Sequence, residues 1–177
     1  MPSILMVIAP SRFRDEELLE PKSIFEKKDW KVHIASRGTG EAQGMLGAKV
    51  KIDRDIREIH AKDYDSVVFV GGVGSSIYHT DRTAWRIAQE CFFDTKPLGA
   101  ICIAASTAAN AIADLGHIKG KRMTGWPSER ENIQEKGAIY TGSGVEVDGN
   151  LVTAKGPHDA RKFGETIAKM VEAKGKK

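Results

Sequence analysis

The sequence predicts an α/β protein with a doubly wound parallel sheet that is sandwiched by helices. Short apolar runs alternate with amphipathic helical segments, and this order is typical of parallel strands joined by helical crossovers. Most of the runs lack polar–apolar alternation, as expected for strands that are buried on both faces. The predicted strands cover 4–9, 32–35, 67–70 and 98–101.

Helical periodicity accounts for the segments that separate and follow these strands. The predicted crossover helices cover 16–27, 82–93 and 103–115. From 145 to 154, Val-Glu-Val and Leu-Val-Thr flank the turn sequence Asp148-Gly149-Asn150, which predicts a β-hairpin near the C-terminus. A last amphipathic helix is predicted after Gly156-Pro157.

Length and charge indicate one domain. With 177 residues, 41% hydrophobic and 29% charged, the chain is large enough for one core. We expect a domain over 1–173 and a disordered basic tail over 174–177. The three lysines of this tail account for the whole formal net charge of +3, so the rest of the chain is neutral in sum. The charge therefore does not indicate nucleic-acid binding.

The cysteines and apolar runs predict a cytoplasmic location. Cys91 and Cys102 are the only cysteines and lack Cys-x-x-Cys spacing, so we expect no disulfide and a reducing compartment. The N-terminal apolar run is shorter than a signal-peptide core, and no preceding positive charge accompanies it. No run approaches the roughly 20 apolar residues of a membrane span, so we expect no membrane association.

Cys102 is the strongest candidate for chemistry. It ends the apolar run 98–102 and opens the small-residue stretch 103–109, which predicts a strand that delivers a thiol onto the first turn of a helix. Unpaired N–H groups and the helix dipole favour a thiolate there. Ala100 and Ala104 leave room for the sharp turn of a nucleophile elbow.

Ligands of such sheets bind beyond the carboxyl ends of the strands, so the turns that follow the predicted strands share one neighbourhood. After one of these strands the chain reads Gly71-Gly72-Val-Gly-Ser-Ser, without the Lys-Ser/Thr of a P-loop, and Ile77 breaks the Gly-x-Gly-x-x-Gly pattern. Adjacent glycines at 71 and 72 present backbone N–H groups to a developing oxyanion. The alternative is a tight turn without a chemical role.

Glu17 is the candidate acid or base. Pro21 cannot donate the helical hydrogen bond to the carbonyl of residue 17, which places Glu17 at a local distortion near the carboxyl edge of the sheet. A carboxyl beside a thiolate shares one proton with it, so a protonated Glu17 can donate to the Cys102 sulfur. Alternatively, Glu16 and Glu17 are ordinary acidic residues of a first helical turn.

The histidines do not predict a metal site. None is spaced as a metal pair, and we expect neither a metal nor a cofactor. They are His33, His60, His79, His117 and His158. His158 opens the last helix after a strand and is within possible reach of the cysteine, whereas the alternative is a solvent-exposed histidine at a helix start.

Five motifs together carry a resemblance to a known family. They cover 15–21, 63–72, 97–102, 119–128 and 145–157. On these motifs, which span nearly the whole chain, the sequence resembles the ThiJ/PfpI superfamily. The resemblance implies a flavodoxin-like sheet sandwich of the class I glutamine amidotransferase-like type, and a homodimer or larger homo-oligomer.

The resemblance also implies the roles of site residues. It pairs a nucleophilic cysteine, Cys102, with a glutamate four residues before a proline, Glu17, and assigns oxyanion donors to the backbone N–H groups of Gly72 and Ile103. One branch of the superfamily has a histidine directly after the cysteine, where this chain has Ile103. Another has one at the position of Trp126, so a Cys-His peptidase mechanism is disfavoured.

The resemblance implies a leading hypothesis, and these residues leave two alternatives beside it. The leading one is an enzyme of glyoxalase or deglycase type, in which Cys102 attacks a small reactive carbonyl compound and Glu17 moves the proton. The second is an oxidative-stress sensor or protective binding protein with an oxidisable Cys102, and the third is an intracellular peptidase or amidase. We expect Gly71, Trp126 and His158 to line the substrate pocket.

Overall fold

A seven-stranded sheet forms the centre of the computed structural model, which describes residues 1–176. The strands are β1 (Ser3–Val7), β2 (Ser11–Phe13), β3 (Lys31–Ser36), β4 (Gly40–Gly44), β5 (Lys49–Ile52), β6 (Arg54–Asp55), β7 (Ser66–Phe69), β8 (Leu98–Ile101), β9 (Arg122–Met123), β10 (Ile139–Tyr140), β11 (Val145–Asp148) and β12 (Leu151–Ala154). The helices are α1 (Asp15–Glu26), α2 (Arg82–Phe93), α3 (Ala105–Asp114), α4 (Arg130–Glu135) and α5 (Ala160–Gly175).

The order of the central sheet is β11-β12-β8-β7-β1-β3-β6. All neighbours are parallel except β11, which pairs antiparallel with β12 in the predicted hairpin. The predicted α/β class and the C-terminal hairpin are therefore confirmed. Two small sheets, β2-β4-β5 and β9-β10, lie beside the central one.

The side chains of β1 point alternately into two hydrophobic cores, one on each face of the sheet, which explains why its apolar run is continuous. Leu5 and Val7 belong to the core on the side of α2 and α3, whereas Ile4 and Met6 belong to the core on the side of α1 and α5. Successive strand side chains point to opposite faces, so a strand between two cores is apolar at every position. This arrangement exposes the carboxyl ends of β1, β7 and β8 at one edge, where the site lies.

The last helix extends into the segment that was expected to be a disordered tail. Helix α5 continues through Gly175, and the Lys174 ammonium donates to the Asp94 carbonyl and the Thr95 hydroxyl, both at 3.0 Å. The ordered chain therefore passes the expected boundary at 173 because Lys174 reaches the end of α2. The remainder of the expected tail, Lys177, lies outside the described residues.

No helix within residues 1–176 is long and apolar enough to cross a membrane.

Candidate active site

Cys102 occupies a sharp turn between β8 and α3. A short 3₁₀ turn, Cys102–Ala104, joins the strand to the helix, and the backbone of Cys102 has a φ of 62°. A side chain in this left-handed region costs free energy and persists where the surroundings hold it. The Trp126 N–H donates to the Cys102 carbonyl at 3.2 Å and is one such restraint. The side chain of Cys102 is only 6% exposed.

Two glycines bring the turn after β7 against the cysteine. A Cβ on Gly71 would lie 2.5 Å from the Ile101 carbonyl oxygen and 2.8 Å from the Cys102 Cβ, so only glycine allows this approach. Gly72 has a φ of 99°. The backbone N–H groups of Gly72 and Ile103 act as donors to the Cys102 sulfur and lower its pKa. A substrate oxygen beside the sulfur would therefore meet two backbone donors.

Glu17 lies beside the cysteine and is fully buried. Its Oε2 accepts a hydrogen bond from the Gly71 N–H at 3.0 Å, while Oε1 has no hydrogen-bond partner within residues 1–176. Burial raises the pKa of Glu17 from 4.5 to about 8, although the nearby Cys102 thiol and the Gly71 N–H act to lower it. Glu17 is therefore mainly protonated at neutral pH.

Burial also decides the protonation of Cys102. It raises the pKa of the thiol above the ordinary value, and the charge of an ionised Glu17 raises it further. The two backbone donors lower the pKa by less, so the expectation that N–H groups and the helix dipole would favour a thiolate is wrong for the free protein. Protonation of Glu17 removes its repulsion, and the two groups titrate as a pair.

The cysteine and the glutamate face a cavity of about 130 Å³. This is the volume of roughly four water molecules at about 30 Å³ each. Arg14, Glu17, Gly72 and Cys102 supply the polar part of the lining, and the remaining walls are Met45, Val73, Ile103, Trp126 and Pro157. The size of the cavity suits a small molecule.

The cavity brings together several sequence-predicted residues but leaves out two of them, Gly71 and His158. Cys102, Glu17, Gly72, Ile103 and Trp126 all line it. Contrary to the expectation, Gly71 is not among the described lining residues, and its N–H donates to the Glu17 carboxyl group instead. His158 is exposed and is not among the described lining residues, because the preceding Pro157 turns toward the cavity in its place.

Sequence reasoning missed the wall that Met45 forms. Met45 lies in the β4–β5 turn, and the buried Asp15 carboxylate accepts hydrogen bonds from the Leu46 N–H at 2.9 Å and the Ala48 N–H at 2.8 Å. Asp15 therefore ties this turn to the start of α1, two residues before Glu17. A short turn has no periodicity, so only the tertiary structure could reveal the contact.

His79 supports the elbow from outside the cavity. Its Nε2 lies 3.0 Å from the Ile103 carbonyl oxygen, and 3.5 Å from Glu129 Oε1. The contact restrains the peptide that follows the cysteine. Among residues 1–176, no group of three or more His, Cys, Asp or Glu side chains is placed to hold a metal ion.

The fold and the elbow define a flavodoxin-like α/β protein with a buried cysteine at the carboxyl edge of its sheet. Residues 2–170 match the DJ-1/PfpI family, and the chain belongs to that family. The resemblance to the ThiJ/PfpI superfamily and the flavodoxin-like fold are thus confirmed.

Individual relatives agree with this assignment. An uncharacterized protein of Methanocaldococcus jannaschii is 41% identical over 172 residues, which cover 96% of this chain and 82% of the relative. Deglycase PfpI of Pyrococcus furiosus is 26% identical over 168 residues, 95% of this chain and 99% of the relative. The crystal structure of a ThiJ/PfpI domain protein from Brachyspira murdochii has a TM-score of 0.91 at 30% identity and covers 97% and 96% of the two chains.

Proposed function

We propose that this protein is a cysteine-dependent enzyme that converts small 2-oxoaldehydes, such as methylglyoxal, to 2-hydroxy acids. The observation that carries the proposal is the Glu17 carboxyl, which is fully buried beside Cys102 and has a pKa near 8. An acid or base with a pKa near the working pH transfers protons most efficiently in both directions. The deglycase name of one relative supports an enzyme of this general kind.

In the first step, the Cys102 sulfur adds to the aldehyde carbon. The S–C bond forms as the carbonyl π electrons move to oxygen, which accepts hydrogen bonds from the N–H groups of Gly72 and Ile103. Glu17 donates its proton to this oxygen and takes the thiol proton in exchange. The product is a neutral hemithioacetal, so no net charge is created in the buried site.

In the second step, Glu17 moves protons within the hemithioacetal. It first gives the thiol proton that it holds to the neighbouring ketone oxygen and, as the carboxylate so formed, removes the proton from the former aldehyde carbon, which gives an enediol. It then returns that proton to the neighbouring carbon and takes the hydroxyl proton of the first carbon. The aldehyde carbon is thereby oxidised and its neighbour reduced without an external oxidant. The resulting thioester is hydrolysed by water, which breaks the C–S bond, returns a proton to sulfur and releases lactate.

The other hypotheses receive less support. The protonated Glu17 favours an oxidative-stress sensor because it can donate a hydrogen bond to an oxidised sulfur, but burial of the thiol slows oxidation. Peptidase or amidase activity lacks a histidine base among the described lining residues. Deglycation would use the same two side chains as the leading reaction. The cytoplasmic location and the homo-oligomeric state stay predictions.

The test is the conversion of methylglyoxal to lactate by the purified protein, followed by NMR. We expect turnover without glutathione or added metal, and a loss of roughly 100-fold or more in both Cys102→Ser and Glu17→Gln. Cys91→Ala is the matched control, because Cys91 is buried in α2 away from the cavity lining. Lactate formation that persists in Cys102→Ser would refute the proposal.

A further inference from the structure

Arg14 brings a positive charge to the wall of the cavity. It precedes α1 by one residue, and its backbone N–H donates to the Gly71 carbonyl at 3.0 Å, which ties it to the turn beside Cys102. Among the described residues that line the cavity, Arg14 is the one cation. The mechanism described above does not use this charge.

Glu16 holds the guanidinium in a defined orientation. The Arg14 Nε donates to Glu16 Oε2 at 2.7 Å, and Nη2 donates to Oε1 at 3.2 Å. A carboxylate that accepts two bonds in this way fixes the plane of the guanidinium. Glu16 itself does not line the cavity. The remaining N–H groups of Arg14 can therefore be offered to a ligand without a large loss of side-chain freedom.

The carboxyl group that does line the cavity, that of Glu17, does not cancel the charge of Arg14 at neutral pH. Glu17 is protonated below about pH 8, so it neither repels an anion strongly nor neutralises Arg14. The side chains of three other lining residues, Met45, Val73 and Trp126, carry no charge. An anionic group that enters the cavity thus meets one cationic side chain among the described lining residues, and Glu16 offsets part of its charge.

From this geometry we infer that Arg14 is a specificity-determining residue that binds an anionic group of the substrate. The preferred substrates are then small carbonyl compounds that carry a carboxylate, whose two oxygens match the planar donors of a guanidinium. A cavity of about 130 Å³ suits a carboxylate better than a bulkier phosphate. The inference deepens the proposed function, because it assigns a substrate class to the same site.

Alkylation of Cys102 tests the inference without any need for turnover. Iodoacetate and iodoacetamide have nearly the same shape, but only iodoacetate is negatively charged. The rates at which the two reagents modify Cys102 are measured by intact-protein mass spectrometry at pH 7.5. The iodoacetate-to-iodoacetamide rate ratio reports recognition of the charge, because any change in thiol reactivity affects both rates alike.

We expect Arg14→Gln to lower this ratio by roughly five- to twentyfold, as the loss of a charge-assisted hydrogen bond predicts. The ratio for Arg14→Lys should lie between those of the wild type and Arg14→Gln, since lysine keeps the charge but not the planar donors. Glu16→Gln should raise the ratio, because Arg14 then lacks its neutralising partner. Arg86→Gln is the matched control: Arg86 also binds a glutamate, Glu90 at 2.8 Å, and its side chain is 35% exposed against 30% for Arg14.

The outcomes separate the inference from the proposed function. An unchanged ratio in both Arg14→Gln and Glu16→Gln, with thermal unfolding showing that both variants are folded, would overturn the inference even if methylglyoxal is converted. A rate ratio that falls in Arg14→Gln and rises in Glu16→Gln would support the inference, even if methylglyoxal is not a substrate.

Discussion

The buried carboxyl of Glu17 and the backbone of Gly71 are joined by a 3.0 Å hydrogen bond that crosses from α1 to the turn after β7. This bond uses one carboxyl oxygen and leaves the other beside Cys102 without a partner in the described chain. Because the bond fixes the orientation of the carboxyl group, the proton of Glu17 is held next to the sulfur. The same burial that places it there sets its affinity for the proton.

The first prediction concerns stability and pH. The pKa of Glu17 is about 8 in the folded protein against 4.5 ordinarily, so the folded state binds the proton more tightly than the unfolded chain. The stabilisation by this proton is complete below about pH 4.5 and is lost as the pH rises through about 8. Between pH 5.5 and 8.5, the free energy of unfolding should fall by roughly 2–4 kcal/mol more in the wild type than in Glu17→Gln.

Urea unfolding of both proteins at several pH values measures this difference, since all other titrating groups are common to the pair. Parallel pH profiles for wild type and Glu17→Gln would contradict a buried, protonated Glu17.

A second prediction concerns the reactivity of Cys102. Because burial raises the pKa of the thiol, its alkylation by iodoacetamide should keep accelerating up to pH 9 and show no plateau near neutrality. Above pH 8, ionised Glu17 repels the thiolate, so Glu17→Gln should react several-fold faster than wild type there, and at a similar rate at pH 6.5. Peptide mass spectrometry should find Cys91 unmodified, because it is fully buried. A rate that levels off below pH 7 would indicate a thiolate-stabilising site instead.

The third prediction separates backbone strain from steric exclusion at the turn beside the cysteine. Gly72 and Gly38 have similar φ values, 99° and 91°, but a Cβ on Gly72 would lie 2.7 Å from the Phe13 carbonyl carbon, whereas one on Gly38 meets nothing within 4 Å. Gly38→Ala should lower the free energy of unfolding by roughly 1–2 kcal/mol, because of the backbone conformation alone. Gly72→Ala should lower it clearly more and should abolish turnover. Chemical denaturation measures both, and equal losses would show that the close approach is unimportant.

A fourth prediction concerns the Met45 wall. Asp15→Ala removes the acceptor of two backbone hydrogen bonds in the β4–β5 turn, so it should destabilise the protein by roughly 2–4 kcal/mol. Amide exchange should accelerate at Leu46 and Ala48, and KM for methylglyoxal should rise more than kcat falls. Asp65→Ala is the control, because Asp65 accepts a backbone bond from Ser3 at the first residue of β1, away from the carboxyl edge. Unchanged exchange in the turn would rule out this role for Asp15.

The sequence could predict the central sheet because local patterns encode it. The runs that became β1, β7 and β8 are continuously apolar, and the run in β3 is interrupted only by His33. A sheet that is covered on both faces requires such runs whatever packs against it. The strands β4 and β9 carry few apolar residues, so no local apolar run marks them in the sequence.

The sequence could predict the site residues that have a fixed place relative to a recognisable local pattern. Cys102 follows a buried strand, and Glu17 stands in fixed register with Pro21. Arg14 and Met45 were missed because their approach to the cavity follows from the docking of α1 and of a turn, not from local spacing. The direction of the thiol pKa was missed for a related reason: the depth of burial is a property of the whole fold.

The left-handed backbone of Cys102 and the buried carboxyl of Glu17 both oppose folding. Replacement of Glu17 by leucine would remove the cost of the unpartnered Oε1 but would leave the buried Gly71 N–H without its acceptor. The two sides of this one carboxyl group therefore act on folding in opposite directions.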